Sequence, residues 1–147
     1  MKKSTKFIIA LLVTVGALAI TYRVVNQAPS KDLAADAQMQ EIITSGGCLQ
    51  CHSGSPDLPF YANWPVASGM VQKDVTQGYR AFDMTEMAEA LKAGKPVGKV
   101  ALAKVEKVIM DGTMPKHAYY MVHWGSSVTD AKKEMAMAWV KQHRLAH

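Results

Sequence analysis

Residues 48–52 read Cys48-Leu49-Gln50-Cys51-His52, and this stretch decides the fold. Cys-x-x-Cys-His is the pattern to which a c-type haem is attached. Two thiols at this spacing lie about one helical turn apart, which suits thioether bonds to the two vinyl groups on one edge of a porphyrin. The histidine that follows can ligate the iron from the proximal side. The motif therefore predicts one covalent haem c, bound through Cys48 and Cys51, with His52 as the proximal iron ligand.

The other interpretations of the motif are a chance match, a thioredoxin-like redox pair and half of a zinc site. Cys48 and Cys51 are the only cysteines in the chain, so no thiol is left for a disulfide framework. A redox pair of this type requires a strand–helix–strand setting, and no run of strands is evident. A zinc site built on Cys-x-x-Cys usually needs a second ligand pair at similar spacing. Haem is favoured over all three.

The N-terminus combines basic residues with a long apolar run. Lys2, Lys3 and Lys6 precede an apolar stretch over residues 7–20, which indicates a secretory signal or a membrane anchor. The triplet Ala17-Leu18-Ala19 fits the small-x-small rule for signal cleavage. Without cleavage, the stretch 7–25 has about the length that spans a bilayer. We favour a retained single-pass anchor over residues 1–25, with the remainder in the periplasm; the alternative is a soluble periplasmic protein.

The net charge of +5 belongs to the targeting segment rather than to the exported part. Five of the 17 basic residues precede Asp32, and no acidic residue does. From Asp32 onward the chain therefore has 12 basic and 12 acidic residues. A neutral domain lacks the basic footprint of a nucleic-acid-binding protein. We therefore expect no nucleic-acid partner.

The remaining ~115 residues are enough for one small domain. We expect a short linker at 26–31 and an all-α, cytochrome-c-like domain at 32–147, built around the haem. Apolar residues recur at helical spacing through most of this region. The predicted helices cover residues 32–44, 69–78, 83–93, 99–111 and a final helix that Thr129 caps.

Side-chain patterns give three further predictions about these helices. In the first helix one face carries Ala35, Met39, Ile42 and Ile43. A capping box of Asp83 and Glu86 starts the third helix. The buried stripe of the last helix consists of Ala131, Met135, Ala138 and Trp139.

Met114 is the best candidate for the sixth iron ligand. It follows the helix end at Asp111-Gly112 and precedes Pro115, so it lies on a short restrained loop. Thioether sulfur is a soft donor that favours Fe(II) and raises the reduction potential. The alternatives are that Met114 only packs, that His117 or His123 ligates the iron in a bis-His centre, or that the sixth position is open.

Several stretches beyond the haem motif carry a resemblance to a known family. They are Pro59-Phe60-Tyr61-Ala62-Asn63-Trp64-Pro65-Val66-Ala67, Val71-x-x-Asp74-Val75-x-x-Gly78, Phe82-Asp83, Ile109-x-x-Gly112-x-Met114-Pro115-x-x-x-Tyr119, His123 and Trp139. Together they resemble the bacterial haem-binding domain family, over nearly all of residues 36–142. Its members are small single-haem, cytochrome-c-like modules, found alone behind an N-terminal membrane segment or joined to di-haem cytochrome c peroxidases.

The chain departs from this family's pattern at two places. Met114-Pro115-Lys116 stands where the family often has Met-Pro-Pro, and Leu58-Pro59-Phe60-Tyr61 stands where it has Trp-Pro-Trp-Tyr.

The sequence thus favours an electron carrier over a catalyst. We expect a single-haem c-type cytochrome outside the cytoplasmic membrane, with a redox partner such as a di-haem peroxidase or a respiratory complex. A peroxidase-like or gas-binding protein with an open distal site is one alternative. A haem redox sensor, or a partner module of a peroxidase, is another.

Overall fold

The computed structural model describes residues 3–146, so Lys2 of the basic N-terminus and His147 at the end of the predicted domain lie outside the described residues. Within this range the chain forms helices joined by turns and has no strand, which confirms the predicted all-α fold. The helices are α1 (Lys3–Val25), α2 (Ala35–Ser45), α3 (Ala67–Ala81), α4 (Thr85–Lys92), α5 (Lys99–Asp111), α6 (His117–Val122) and α7 (Asp130–Leu145), with short 3-10 turns at Cys48–Gln50, Phe60–Asn63 and Trp124–Ser126.

Helix α1 is long and apolar enough to cross a membrane. The most apolar part of this helix has a mean hydropathy of 2.2, and none of it is buried against the rest of the protein. A helix of this kind near an N-terminus fits either an anchor or a signal sequence by length and composition. The structure therefore confirms an apolar N-terminal helix and leaves its cleavage a prediction.

Helices α2, α4, α5 and α7 enclose the hydrophobic core. Helix α5 has the predicted bounds and ends at Gly112, whose φ of 60° continues the chain in the left-handed conformation. Trp139 of α7 is buried, and its indole nitrogen donates to Asp36 of α2 at 2.7 Å. The core consists of Met39, Ile42, Ile43, Met84, Met87, Leu91, Val97, Leu102, Val105, Ala136, Trp139 and Val140.

The predicted inner stripe of α7 is confirmed at Trp139 and Met135 and wrong at its two alanines. Ala131 and Ala138 are exposed, whereas Ala136 and the side chain of Lys132 are buried. The Lys132 ammonium donates to the Ser127 carbonyl at 3.1 Å and to the Ser45 hydroxyl at 3.3 Å. A lysine whose amine finds acceptors can bury its aliphatic stem, so a pattern based on apolar residues alone misplaces the face.

The start of α4 is also different from the prediction. The helix begins at Thr85, and the Asp83 carboxylate accepts from the Thr85 amide at 2.9 Å without acting as the cap. The amide of Met84 donates instead to the carbonyl of His52 at 2.7 Å. A contact with the Cys-x-x-Cys-His segment, not a local capping box, therefore positions this helix.

Candidate functional site

The Cys-x-x-Cys-His segment forms one tight turn directly after α2. Gly47 has a φ of 64°, in the left-handed region, and reverses the chain. The amide of Cys51 donates to the Cys48 carbonyl at 3.3 Å, and the amide of His52 donates to the same oxygen at 3.0 Å. Both cysteines and the histidine therefore share one helical turn, as their spacing predicts.

The imidazole of His52 is oriented by a backbone carbonyl from outside the motif. Its Nδ1 lies 2.8 Å from the carbonyl oxygen of Phe82, at the end of α3. A carbonyl oxygen only accepts, so Nδ1 donates, and in the neutral ring Nε2 then carries the lone pair. Metal-ligating histidines typically make this contact through the nitrogen that does not bind the metal. Sequence reasoning missed Phe82 in this role because a backbone acceptor leaves no side-chain signal.

Cys48 and Cys51 do not form a disulfide with each other. Burial raises the pKa of Cys48 to about 11, and burial together with the nearby Asp74 carboxylate raises the pKa of Cys51. Reactive redox pairs and zinc ligands depend instead on a stabilised thiolate. Among residues 3–146, no group of three or more His, Cys, Asp and Glu side chains could hold a metal ion. The raised thiol pKa values do not favour a redox pair, which depends on a stabilised thiolate.

Helix α3 packs its backbone against the second cysteine. Gly78 is buried, and a Cβ built on it would lie 2.6 Å from the carbonyl oxygen of Cys51 and 2.9 Å from the Cβ of Cys51. Only glycine permits this approach. One turn earlier on the same helix, Asp74 forms a 2.6 Å ion pair with Lys116, which lies two positions after Met114. Helix α3 thus contacts both the cysteine turn and the loop that carries the predicted sixth ligand.

We expect Gly78→Ala to destabilise the fold through this contact. The added methyl must displace the backbone at Cys51, at a cost of roughly 1–3 kcal/mol, and Tm should fall by about 5–15 °C. The matched control is Gly69→Ala on the same helix, where a Cβ meets no atom within 4 Å. That change should leave Tm unchanged or raise it, because alanine favours helix by ~1 kcal/mol. Equal effects in thermal denaturation would contradict the packing described for Gly78.

Helix α6 covers the other side of the cysteine turn with an aromatic side chain. The hydroxyl of Tyr119 donates to Gln50 Oε1 at 2.7 Å, inside the motif. A Cβ on Gly47 would lie 1.9 Å from the same hydroxyl, so glycine is needed there for space as well as for conformation. Burial raises the pKa of Tyr119 to about 12. Tyr119 and Gln50 are therefore part of the candidate site, and no sequence motif marks their contact.

His123 extends this contact into an ordered polar network. Its ring stacks on Tyr119 with centroids 4.0 Å apart. Its Nδ1 donates to the Tyr119 carbonyl at 3.1 Å, and its Nε2 accepts from the Tyr61 hydroxyl at 3.0 Å. Both ring nitrogens of His123 are therefore hydrogen-bonded to other residues of the chain. The exposed His117 pairs with the Tyr120 hydroxyl on the same helix.

Met114 lies in the short segment between α5 and α6. Its side chain is exposed, and the Lys116–Asp74 ion pair ties its loop to α3. The same ammonium lies close enough to Cys51 to influence the pKa of that thiol. The structure thus brings the cysteine turn, the oriented His52 and the loop of Met114 into one neighbourhood.

The residues present fit a covalently attached haem. The thiols of Cys48 and Cys51 share one turn, and the imidazole of His52 is held with Nε2 as its donor atom. This donor set in a small helical domain defines a haem-binding protein.

Comparison with known proteins also indicates a haem-binding protein. The chain belongs to the haem-binding domain family, whose model matches residues 7–142. It is also similar to the cytochrome c peroxidase Ccp of Escherichia coli (strain K12), at 36% identity over 98 residues. That alignment covers 67% of this chain and only 21% of the relative's length. No solved structure matches the chain.

Proposed function

We propose that the protein is a single-haem c-type cytochrome that carries electrons outside the cytoplasmic membrane. Cys48 and Cys51 would hold the haem through thioethers, His52 would ligate the iron through Nε2, and Met114 would be the sixth ligand. The observation that carries the proposal is the hydrogen bond of His52 Nδ1 to the Phe82 carbonyl, at 2.8 Å. It orients the imidazole as a ligand.

When bound, the haem supplies an iron that gains and loses one electron. The residues of this chain would keep its surroundings unchanged between the two oxidation states. The Phe82 carbonyl holds the plane of the His52 ring, and the contact of Tyr119 with Gln50 holds the cysteine turn. A rigid coordination sphere suits electron transfer because little has to move when the charge changes. The axial pair, burial and nearby hydrogen bonds set the potential.

The hydrogen bonds of the two histidines support Met114 as the sixth ligand. His123 would have to give up its bonds to Tyr119 and Tyr61 to reach an iron, which costs about 1 kcal/mol for each bond. His117 pairs with Tyr120 on the outer side of α6, where it is exposed. The thioether sulfur of Met114 is only a weak hydrogen-bond acceptor, so binding iron would not require it to give up strong hydrogen bonds.

A second candidate function is a haem module that works with a peroxidase. The observation in its favour is the similarity to a protein named cytochrome c peroxidase. Because this chain spans about a fifth of that protein's length, catalysis by that protein does not transfer to it. A di-haem peroxidase, or a respiratory complex, would then be the partner that exchanges electrons with the haem of this chain.

A redox titration of the purified protein tests the electron-carrier function. Haem absorbance against potential should follow one reversible one-electron transition, because the chain has a single Cys-x-x-Cys-His motif. Two separate transitions would contradict a single haem. Reduced protein that is oxidised by peroxide faster than by a one-electron acceptor would favour the peroxidase alternative.

We further propose that α1 is retained as an anchor in the inner membrane, with the domain in the periplasm. The native protein should then sediment with membranes and resist extraction by high salt, because salt screens charges but does not release a hydrophobic span. Detergent should release it. Recovery of a soluble periplasmic protein that begins near Ile20 would show instead that cleavage follows Ala17-Leu18-Ala19.

A further inference from the structure

The end of α1 is held against the haem domain by a buried asparagine. The Asn26 side chain donates to the Tyr22 carbonyl at 2.9 Å and to the Trp124 carbonyl at 2.6 Å. Its Oδ1 accepts from the Ser127 amide at 2.9 Å. One side chain therefore joins the last turn of α1 to the start of the 3-10 turn at Trp124–Ser126 and to the residue that follows it.

Two further contacts close the same junction. The hydroxyls of Tyr22 and Ser127 lie 2.8 Å apart. Gly125 lies beside the backbone of α1, since a Cβ built on it would be in van der Waals contact, 3.4 Å, with the carbonyl oxygen of Val25. The predicted linker at 26–31 thus starts at a buried, hydrogen-bonded residue, so the exit of α1 has a defined position relative to the domain.

The position of this junction relative to a bilayer follows from helix length. A hydrocarbon core of ~30 Å corresponds to about 20 residues of helix at 1.5 Å each. Counted from Phe7, the first residue after the basic segment, this length ends close to Asn26. The Trp124 carbonyl, bonded to Asn26, would therefore lie at the level of the lipid headgroups.

The segment next to this junction lacks acidic and basic residues other than histidine and exposes three apolar side chains. Residues 117–129 include no Asp, Glu, Lys or Arg. Within this segment the side chains of Met121 and Val122 are 73% and 67% exposed, and the indole of Trp124 is also exposed. Tryptophan is enriched at membrane–water interfaces because its ring is apolar and its N–H is polar.

We propose that residues 121–124 form a second membrane contact that inserts into the outer interface beside α1. The partner is the lipid surface itself, because Asn26 joins this segment to the membrane-spanning helix α1. The inference rests on the proposed retention of α1. Tyr119 of the same helix contacts the cysteine turn through Gln50.

Photo-cross-linking of the full-length holoprotein in liposomes tests this contact. The probe is a phosphatidylcholine that carries a diazirine near the top of one acyl chain, and the labelled peptides are identified by mass spectrometry. We expect cross-links in residues 3–25 and also in 121–124. Cross-links in 3–25 alone would overturn the second contact and leave the anchor standing. Cross-links in neither region would overturn the anchor and, with it, this inference.

A pair of matched double variants makes the test specific. Met121→Gln with Val122→Ser should reduce cross-linking of this segment several-fold. The control is Met110→Gln with Val100→Ser on α5, where the side chains are 72% and 71% exposed, and it should leave the cross-links unchanged. Haem absorbance reports that each variant is folded. Equal cross-linking in both variants would contradict insertion of Met121 and Val122.

Discussion

Replacing both Cys48 and Cys51 with alanine should leave a polypeptide that loses all its haem on extraction with acid and acetone. The unmodified protein, made in an export-competent host, should keep its haem through denaturation and through the same extraction. The reason is that two thioether bonds survive conditions that break iron coordination and empty a hydrophobic pocket. Haem staining of the denatured polypeptide after electrophoresis measures the difference, and we expect at least a tenfold loss, from the motif's covalent chemistry.

The single cysteine variants distinguish covalent attachment of the haem from its non-covalent binding. Cys48→Ala and Cys51→Ala should each keep one thioether and show a shifted pyridine haemochrome band, because one vinyl group stays conjugated with the ring. Ser53→Ala, next to the motif, is the matched control; it removes only the hydroxyl that bonds the Leu49 carbonyl at 2.7 Å, and haem should stay bound. Loss of all colour from the unmodified polypeptide would overturn covalent attachment.

Met114→Ala should open the iron to external ligands. With sulfur removed, the ferric protein should change from low spin to high spin and bind carbon monoxide readily once reduced. The reduction potential should fall by a sizeable part of the ~0.8 V range that axial ligands control, because the donor that favours Fe(II) is lost. Absorption spectra and a redox titration measure both effects.

Three variants serve as controls for this prediction. Met110→Ala removes another exposed methionine close to the end of α5 and should leave the spectrum unchanged. His117→Ala and His123→Ala should also keep the low-spin spectrum, although His123→Ala should lower stability by about 1–2 kcal/mol through its lost hydrogen bonds. If a histidine change alone produces a high-spin iron while Met114→Ala has no effect, the centre is bis-His.

Local signals were sufficient for much of the fold. Helix α5 follows a clear apolar period and stops at Gly112, so its bounds match the prediction. Thr129 caps α7 as predicted, because its hydroxyl accepts from the Lys132 amide within the same turn. The turn of Cys48–Gln50 likewise follows from its own spacing. The end of α5 and the start of α7 are therefore determined by neighbouring residues.

Contacts between distant segments account for what the sequence did not reveal. Lys132 is buried because Ser45, on another helix, accepts from its amine, and this changes the inner face of α7. Helix α4 begins directly after Met84, whose amide donates a hydrogen bond to the His52 carbonyl. The Phe82 carbonyl is a backbone group, and no side-chain pattern can identify it. The orientation of the His52 imidazole could therefore be recognised only from the three-dimensional structure.

The absorption spectrum of the unmodified protein, ferric and ferrous, tests the central claim most directly. With His52 and Met114 both bound, the ferric form should be low spin and show a weak sulfur-to-iron charge-transfer band toward the red end of the visible range. The folded protein should react poorly with carbon monoxide and peroxide. A ferric form that is already high spin and reacts readily with peroxide would contradict a His/Met electron carrier and favour a peroxidase-like haem protein.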